Sequence, residues 1–125
     1  MKKIRINRAK WRTGKYAKNK TGNGPTLLIN NDGYKCCLGF IAQQVSHCKV
    51  NELYSCGMPN ELTFTVKNLS TKIENNRIIN TDLTKYAVLI NDNLETTPKQ
   101  KEQKLKRLFK DVYELEFFGE YAKNE

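Results

Sequence analysis

Residues 97–118 constrain the fold more than any other part of the chain. Thr97 is a good helix N-cap and Pro98 takes the first helical position, where a missing N–H costs nothing. Gln100, three residues after the cap, can return a hydrogen bond to it and complete a capping box. Leu105, Leu108, Phe109 and Val112 then recur at helical spacing and make one apolar stripe. The period changes to two immediately afterwards. Tyr113, Leu115 and Phe117 alternate with Glu114 and Glu116, as expected of a strand with one buried face. A helix that runs straight into a half-buried strand must share a core with it, which predicts an α+β architecture.

The rest of the chain adds short elements to that frame. Asn7 caps a predicted short helix through Ala9 and Trp11, which Gly14 ends as a left-handed C-cap. Residues 15–25 read as a polar loop broken by Gly22, Gly24 and Pro25. Residues 26–36 read as a β-hairpin, with Thr26-Leu27-Leu28-Ile29 and Tyr34-Lys35-Cys36 joined by the turn signal Asn31-Asp32-Gly33. A helix follows, with Leu38, Ile41, Ala42 and Val45 on one face and Gly39 placed to let another backbone approach. Residues 50–61 are irregular, punctuated by Gly57 and Pro59, and Leu62 to Val66 alternates as a half-buried strand does. A turn is expected near Asn75-Asn76. Thr81 or Asp82 then caps a helix carrying Leu83, Tyr86, Ala87 and Ile90. At 125 residues this is one small domain. Residues 1–25 form its basic N-terminal helix and loop, and residues 26–125 its body, a short β-hairpin and strands packed with three or four helices.

Charge is distributed unevenly. Nine of the 22 Lys and Arg residues lie in the first twenty positions, and the thirteen acids all come at or after Asp32. The formal net charge of +9 therefore reduces to a basic segment on a neutral body, which suggests an acidic partner. Trp11 and Tyr16 are interleaved with Arg8, Lys10, Arg12, Lys15 and Lys18. In that arrangement aromatic faces can stack on bases while cations meet phosphates. These seven residues are the predicted ligand-binding set. A second anion site is expected where a strand meets a helix, at Cys37 and Leu38, because helix N-termini carry unpaired amides.

Catalytic signals are thin. The single histidine, His47, neighbours Cys48, but adjacent helix residues do not face each other, so a thiolate–imidazole pair is poorly placed. Adjacent Cys36 and Cys37 point in different directions, and without C-x2-C spacing Cys36, Cys37, Cys48 and Cys56 are expected to be reduced thiols without zinc. The glycine-rich phosphate loops are missing, and Asn91-Asp92-Asn93 lacks the glycine and terminal glutamate of a calcium loop. No cofactor and no metal is expected. No run approaches the ~18 apolar residues of a membrane span. The start, Met1-Lys2-Lys3, has no apolar stretch behind it of the kind an export signal uses, so a cytoplasmic location is expected.

In order, Trp11-x-x-Gly14-Lys15-Tyr16, Leu27-Leu28, Gly33, Cys36-Cys37-Leu38-Gly39 and Ala87-Val88-Leu89-Ile90-Asn91-Asp92 resemble the pattern of a widespread group of small bacteriophage proteins. The chain departs from that pattern in its lysine- and asparagine-rich insertions, above all at residues 68–80. The resemblance implies a setting, the host bacterial cytoplasm, and a role as an accessory, anti-defence protein. The resulting expectation is a protein that, without catalysis, binds a phosphate-bearing ligand, either a nucleotide signal or nucleic acid. The alternative is an inhibitor that binds a host defence enzyme such as a nuclease.

Overall fold

The computed structural model describes residues 1–13, 28–29, 33–54, 56–93 and 95–121. In chain order these form β1 (Lys2–Asn7), α1 (Cys37–Ser46), β2 (Ser70–Lys72), β3 (Ile78–Asn80), α2 (Asp82–Asp92), α3 (Pro98–Leu108) and β4 (Tyr113–Phe118). Single 3₁₀ turns lie at Arg8–Lys10, Val50–Glu52, Pro59–Glu61 and Glu74–Asn76. Three helices and two small sheets make one α+β domain.

β1 and β4 pair in parallel and so join the two ends of the chain. Their register sets Ile4 opposite Leu115 and Ile6 opposite Phe117. The alternating apolar residues of both strands are buried on one face, with Tyr113 beside them. Their polar alternates face outward, where Glu116 lies 3.1 Å from both Lys3 Nζ and Arg5 Nε. The side chain of Gln44 on α1 pairs with the outer edge of β1, accepting from Arg5 N (2.8 Å) and donating to Arg5 O (2.7 Å). One carboxamide thus stands where the next strand's peptide group would, and the edge is closed at that point.

The three helices predicted after residue 36 form, α2 and α3 with their expected N-caps. Thr97 Oγ1 accepts from Gln100 N and Gln100 Oε1 from Thr97 N, so the capping box of α3 is complete. Thr81 Oγ1 accepts from Thr84 N at the start of α2. The turn between β2 and β3 falls at Asn75 and Asn76, both at positive φ, a backbone region that asparagine tolerates. Leu105 and Phe109 of the predicted α3 stripe are fully buried.

Four expectations are corrected. The basic N-terminal segment begins as a strand, and the turn after it closes at Trp11, whose extended backbone and bridge to Lys35 end it before Gly14. The described ends of the expected hairpin pair elsewhere, Ile29 with Tyr54 and Lys35 with Trp11. Residues 62–66 keep alternating burial but have no strand partner among the described residues. On α2 the buried residues are Thr84, Ala87 and Asn91, whereas Tyr86 is 58% exposed, because α2 turns a partly polar face inward. Gly14, the loop at residues 15–25, Leu27 and Asn31-Asp32 of the turn lie outside the described residues.

Gly39 meets its expectation directly. A Cβ built there would lie 1.9 Å from Leu28 O, a backbone atom whose segment is tied by Leu28 N to Cys56 O. The α1 backbone and the segment of Leu28 touch without a side chain between them. Gly39→Ala should therefore cost ~3 kcal/mol or more, at the upper end of overpacking effects, because backbone must move to admit the methyl. An unfolding free energy from urea denaturation within ~0.5 kcal/mol of wild type would contradict this close approach.

Candidate functional site

Asn91, near the end of α2, is 1% exposed and all four hydrogen-bonding positions of its side chain are used. Oδ1 accepts from Trp11 Nε1 at 2.8 Å and from Cys37 N at 3.1 Å. Nδ2 donates to Arg12 O at 3.0 Å and to Asp92 Oδ1 at 2.9 Å. The amide orientation follows from chemistry, since indole and peptide N–H groups only donate and must face an oxygen. The Asn91 carbonyl in turn accepts from Lys101 Nζ (2.7 Å), which also donates to Thr13 O (2.8 Å). Three segments far apart in sequence, around Trp11, Cys37 and Asn91, meet at this one side chain.

That node decides where several predicted site residues stand. Trp11 is 2% exposed, packs its ring 4.9 Å from that of Phe117, and presents no free face for a base. Arg12 is 3% exposed and buried beside Asp92, so its guanidinium is part of the interior. The start of α1 receives no cap from Cys36, and Asn91 Oδ1 takes the Cys37 amide instead. The anion site expected at Cys37 and Leu38 is thus filled by a neutral side chain of the protein itself, and Leu38 is fully buried.

Among the described N-terminal cations, Lys3, Arg5 and Arg8 are engaged by acids from the far end of the chain. Arg8 makes a two-pronged contact with Glu102, Nε to Oε2 at 2.8 Å and Nη2 to Oε1 at 2.9 Å, and donates to Gly119 O. Tyr121 donates its hydroxyl to the same carboxylate. Burial pushes Glu102 upward, but the hydrogen bonds from Arg8 and Tyr121 outweigh it and leave the carboxyl below its ordinary range. Burial and the carboxylate together push the Tyr121 hydroxyl up to about 12. Lys3 and Arg5 share Glu116, whose pKa their hydrogen bonds hold down. Lys10 is exposed, with Nζ 5.2 Å from the centre of the Tyr34 ring. Lys15, Tyr16 and Lys18 lie outside the described residues.

A different basic surface emerges on α3. Lys101, Glu102 and Leu105 point inward, leaving Lys99, Lys104, Lys106 and Arg107 exposed, with Lys110 just beyond the helix. Lys99, Gln103 and Arg107 fall at i, i+4 and i+8 and form one ridge. The only acid on the helix is Glu102, and it is spent on Arg8. Among the described residues no carboxylate lies within ion-pair distance of these five cations. Lys106 Nζ instead lies 5.8 Å from the centre of the Phe117 ring.

All four cysteines are free, and Cys36 and Cys37 are buried. Burial pushes the Cys36 thiol up to about 12 and Cys37 well above its usual value, so both are protonated at neutral pH. Burial, then the nearby Glu61, also raises Cys56. His47 is the exposed left-handed C-cap of α1. Among the described residues no group of three or more His, Cys, Asp or Glu side chains is placed to hold a metal ion, and no helix is long and apolar enough to cross a membrane. Comparison with protein-family models, with curated proteins and with solved structures finds no match to this chain.

Two outcomes follow from this geometry. Asn91→Asp keeps the shape but removes both donors and sets a carboxylate against Arg12 O and Asp92. With buried acceptors stranded at ~1–3 kcal/mol each, it should destabilise by about 2–4 kcal/mol. Calorimetric melting of the variant at wild-type temperature would refute the account. The second outcome concerns acid. Because Glu102 is depressed in the folded state, its contribution is complete above the unfolded carboxylate value near ~4.3 and disappears as pH falls through the lower folded value. Glu102→Gln should therefore lose less stability than wild type between neutral pH and pH ~3. Equal losses in urea titrations at the two pH values would show that the pair carries no such linkage.

Proposed function

We propose that the protein acts by binding rather than catalysis, and that its ligand is nucleic acid held against the exposed cationic face of α3. The observation that carries this reading is the set Lys99, Lys104, Lys106, Arg107 and Lys110, exposed together while the one acid of the helix is turned inward. Lys99 to Arg107 spans ~12 Å at 1.5 Å per residue. Phosphates along one duplex strand advance ~3.4 Å each, so the row matches three or four of them and exceeds a single nucleotide. An extended polyanion fits better than a small cyclic signal. The N-terminal set supports the same polarity less strongly, because Trp11 and Arg12 are interior and Arg8 is paired with Glu102. The protonated thiols also favour binding over thiol chemistry. The resemblance to small phage proteins supplies the setting we propose, an accessory protein acting against host defence in the bacterial cytoplasm.

One observation favours a second reading, inhibition of a host protein. Tyr86 and Leu89, three residues apart on α2, are 58% and 68% exposed, and large apolar groups of this kind serve as anchors in protein interfaces.

Titration of single- and double-stranded oligonucleotides at several salt concentrations separates the readings. Replacing Lys104, Arg107 and Lys110 together with glutamine should weaken binding and lower the slope of log K against log salt by about 3 × 0.9 for duplex DNA. An unchanged affinity and slope would remove α3 as the interface. Silent oligonucleotides with a stable lysate-protein complex, lost on Leu89→Ser, would establish the second reading instead.

A further inference from the structure

Away from α3, a cavity of about 300 Å³ opens between the start of α1, the end of α2 and the turn at residues 57–61. That volume is at the small end of ligand pockets, which run from ~300 to ~1,000 Å³. Leu38, Val88 and Met58 supply apolar wall, and Cys36 lies buried beside them. Among the described residues the charged groups that line it are Asp92 and Glu61, both carboxylates, in a protein whose net charge is +9. We infer that this cavity binds a cationic group on a short alkyl chain, an alkylammonium or alkylguanidinium.

Both carboxylates are held in place by the fold. Asp92 Oδ1 accepts from Asn91 Nδ2, and among the described residues Oδ2 accepts nothing. Glu61 Oε2 accepts from Gly57 N and, at 2.7 Å, from Met58 N, which fixes the turn that carries it. Three positive influences act here, and none of them lines the cavity with a cation. The Arg12 guanidinium attracts Asp92 from the interior side, and the Lys101 ammonium is held behind it on Asn91 O. The amide at the start of α1 is already taken by Asn91. Among the described residues no lysine, arginine or histidine lines the cavity. A ligand with a cationic head and three or four methylenes would meet the carboxylates with its charge and the Leu38–Val88 wall with its chain. Each buried methylene adds ~0.8 kcal/mol of favourable transfer, so chain length as well as charge selects the ligand.

Calorimetric titration of the full chain with butylamine, butylguanidine, 1-butanol and butyrate tests this. The two cations should bind with Kd values at least tenfold below that of butanol. Asp92→Asn preserves the acceptor for Asn91 Nδ2 and should weaken the cations tenfold while leaving butanol unchanged. Val88→Phe fills the cavity, should abolish binding of all the probes, and decides the matter if Asp92→Asn fails to fold. Two sources offer this chemistry, a free amine or a lysine or arginine side chain of a partner, and butylamine compared with N-acetyl-lysine methylamide distinguishes them. Equal binding of cations and butanol, preference for butyrate, no binding at all, or binding indifferent to Val88→Phe would each overturn the site. None of these readouts depends on α3, so this inference and nucleic-acid binding stand or fall separately.

Discussion

The carboxamide of Asn91 is the interaction on which the rest of the molecule depends. It caps α1, which has no cap of its own, receives the indole of Trp11, ties down the Arg12 carbonyl and orients Asp92. No other side chain type can do this in the same space. Aspartate lacks the donors, leucine lacks both functions, and glutamine would carry the amide a methylene too far. Because the Asn91 side chain is buried, each of its hydrogen bonds would leave a costly unpaired group if broken. The second carbonyl contact, from Lys101 Nζ to Asn91 O, brings an ammonium into the same interior and links α3 to the segment around Thr13.

Electrostatics follows from this packing. The parallel pairing of β1 with β4 brings Glu116 to Lys3 and Arg5, and Arg8 reaches Glu102 on α3. Pairs as exposed as those of Glu116 add little to stability. Their consequence is to engage Lys3, Arg5 and Arg8, cations that the sequence shows without nearby acids, while the cations of α3 stay exposed. The same fold leaves two carboxylates at a cavity on the α1–α2 side. A protein with one overall charge thereby presents surfaces of opposite sign, one suited to phosphates and the other to a cationic group.

Much of the fold was legible because its signals are local. The capping box of α3, the apolar spacing on α1 and α3 and the alternation in β4 rest on residues within one or two turns of each other. The Lys-Ile-Arg-Ile alternation of β1 was equally visible, but its strong charge masked a half-buried strand. The cationic ridge of α3 could have been found by placing its lysines on a helical wheel, where Glu102 falls with the buried Leu105.

By itself, the sequence determined the α+β class, the three helices with the caps of α2 and α3, and the excess of positive charge. Only the tertiary structure decided which of those charges remain available. Pairing, burial and desolvation depend on groups nearly the whole chain apart: Arg8 with Glu102, Arg5 with Glu116, Trp11 with Asn91. Local propensity acts over a few residues and holds no information about such encounters. A tryptophan among lysines looks like a stacking platform until the fold encloses it, and a lysine-rich helix looks like a solvated face until its one acid turns inward.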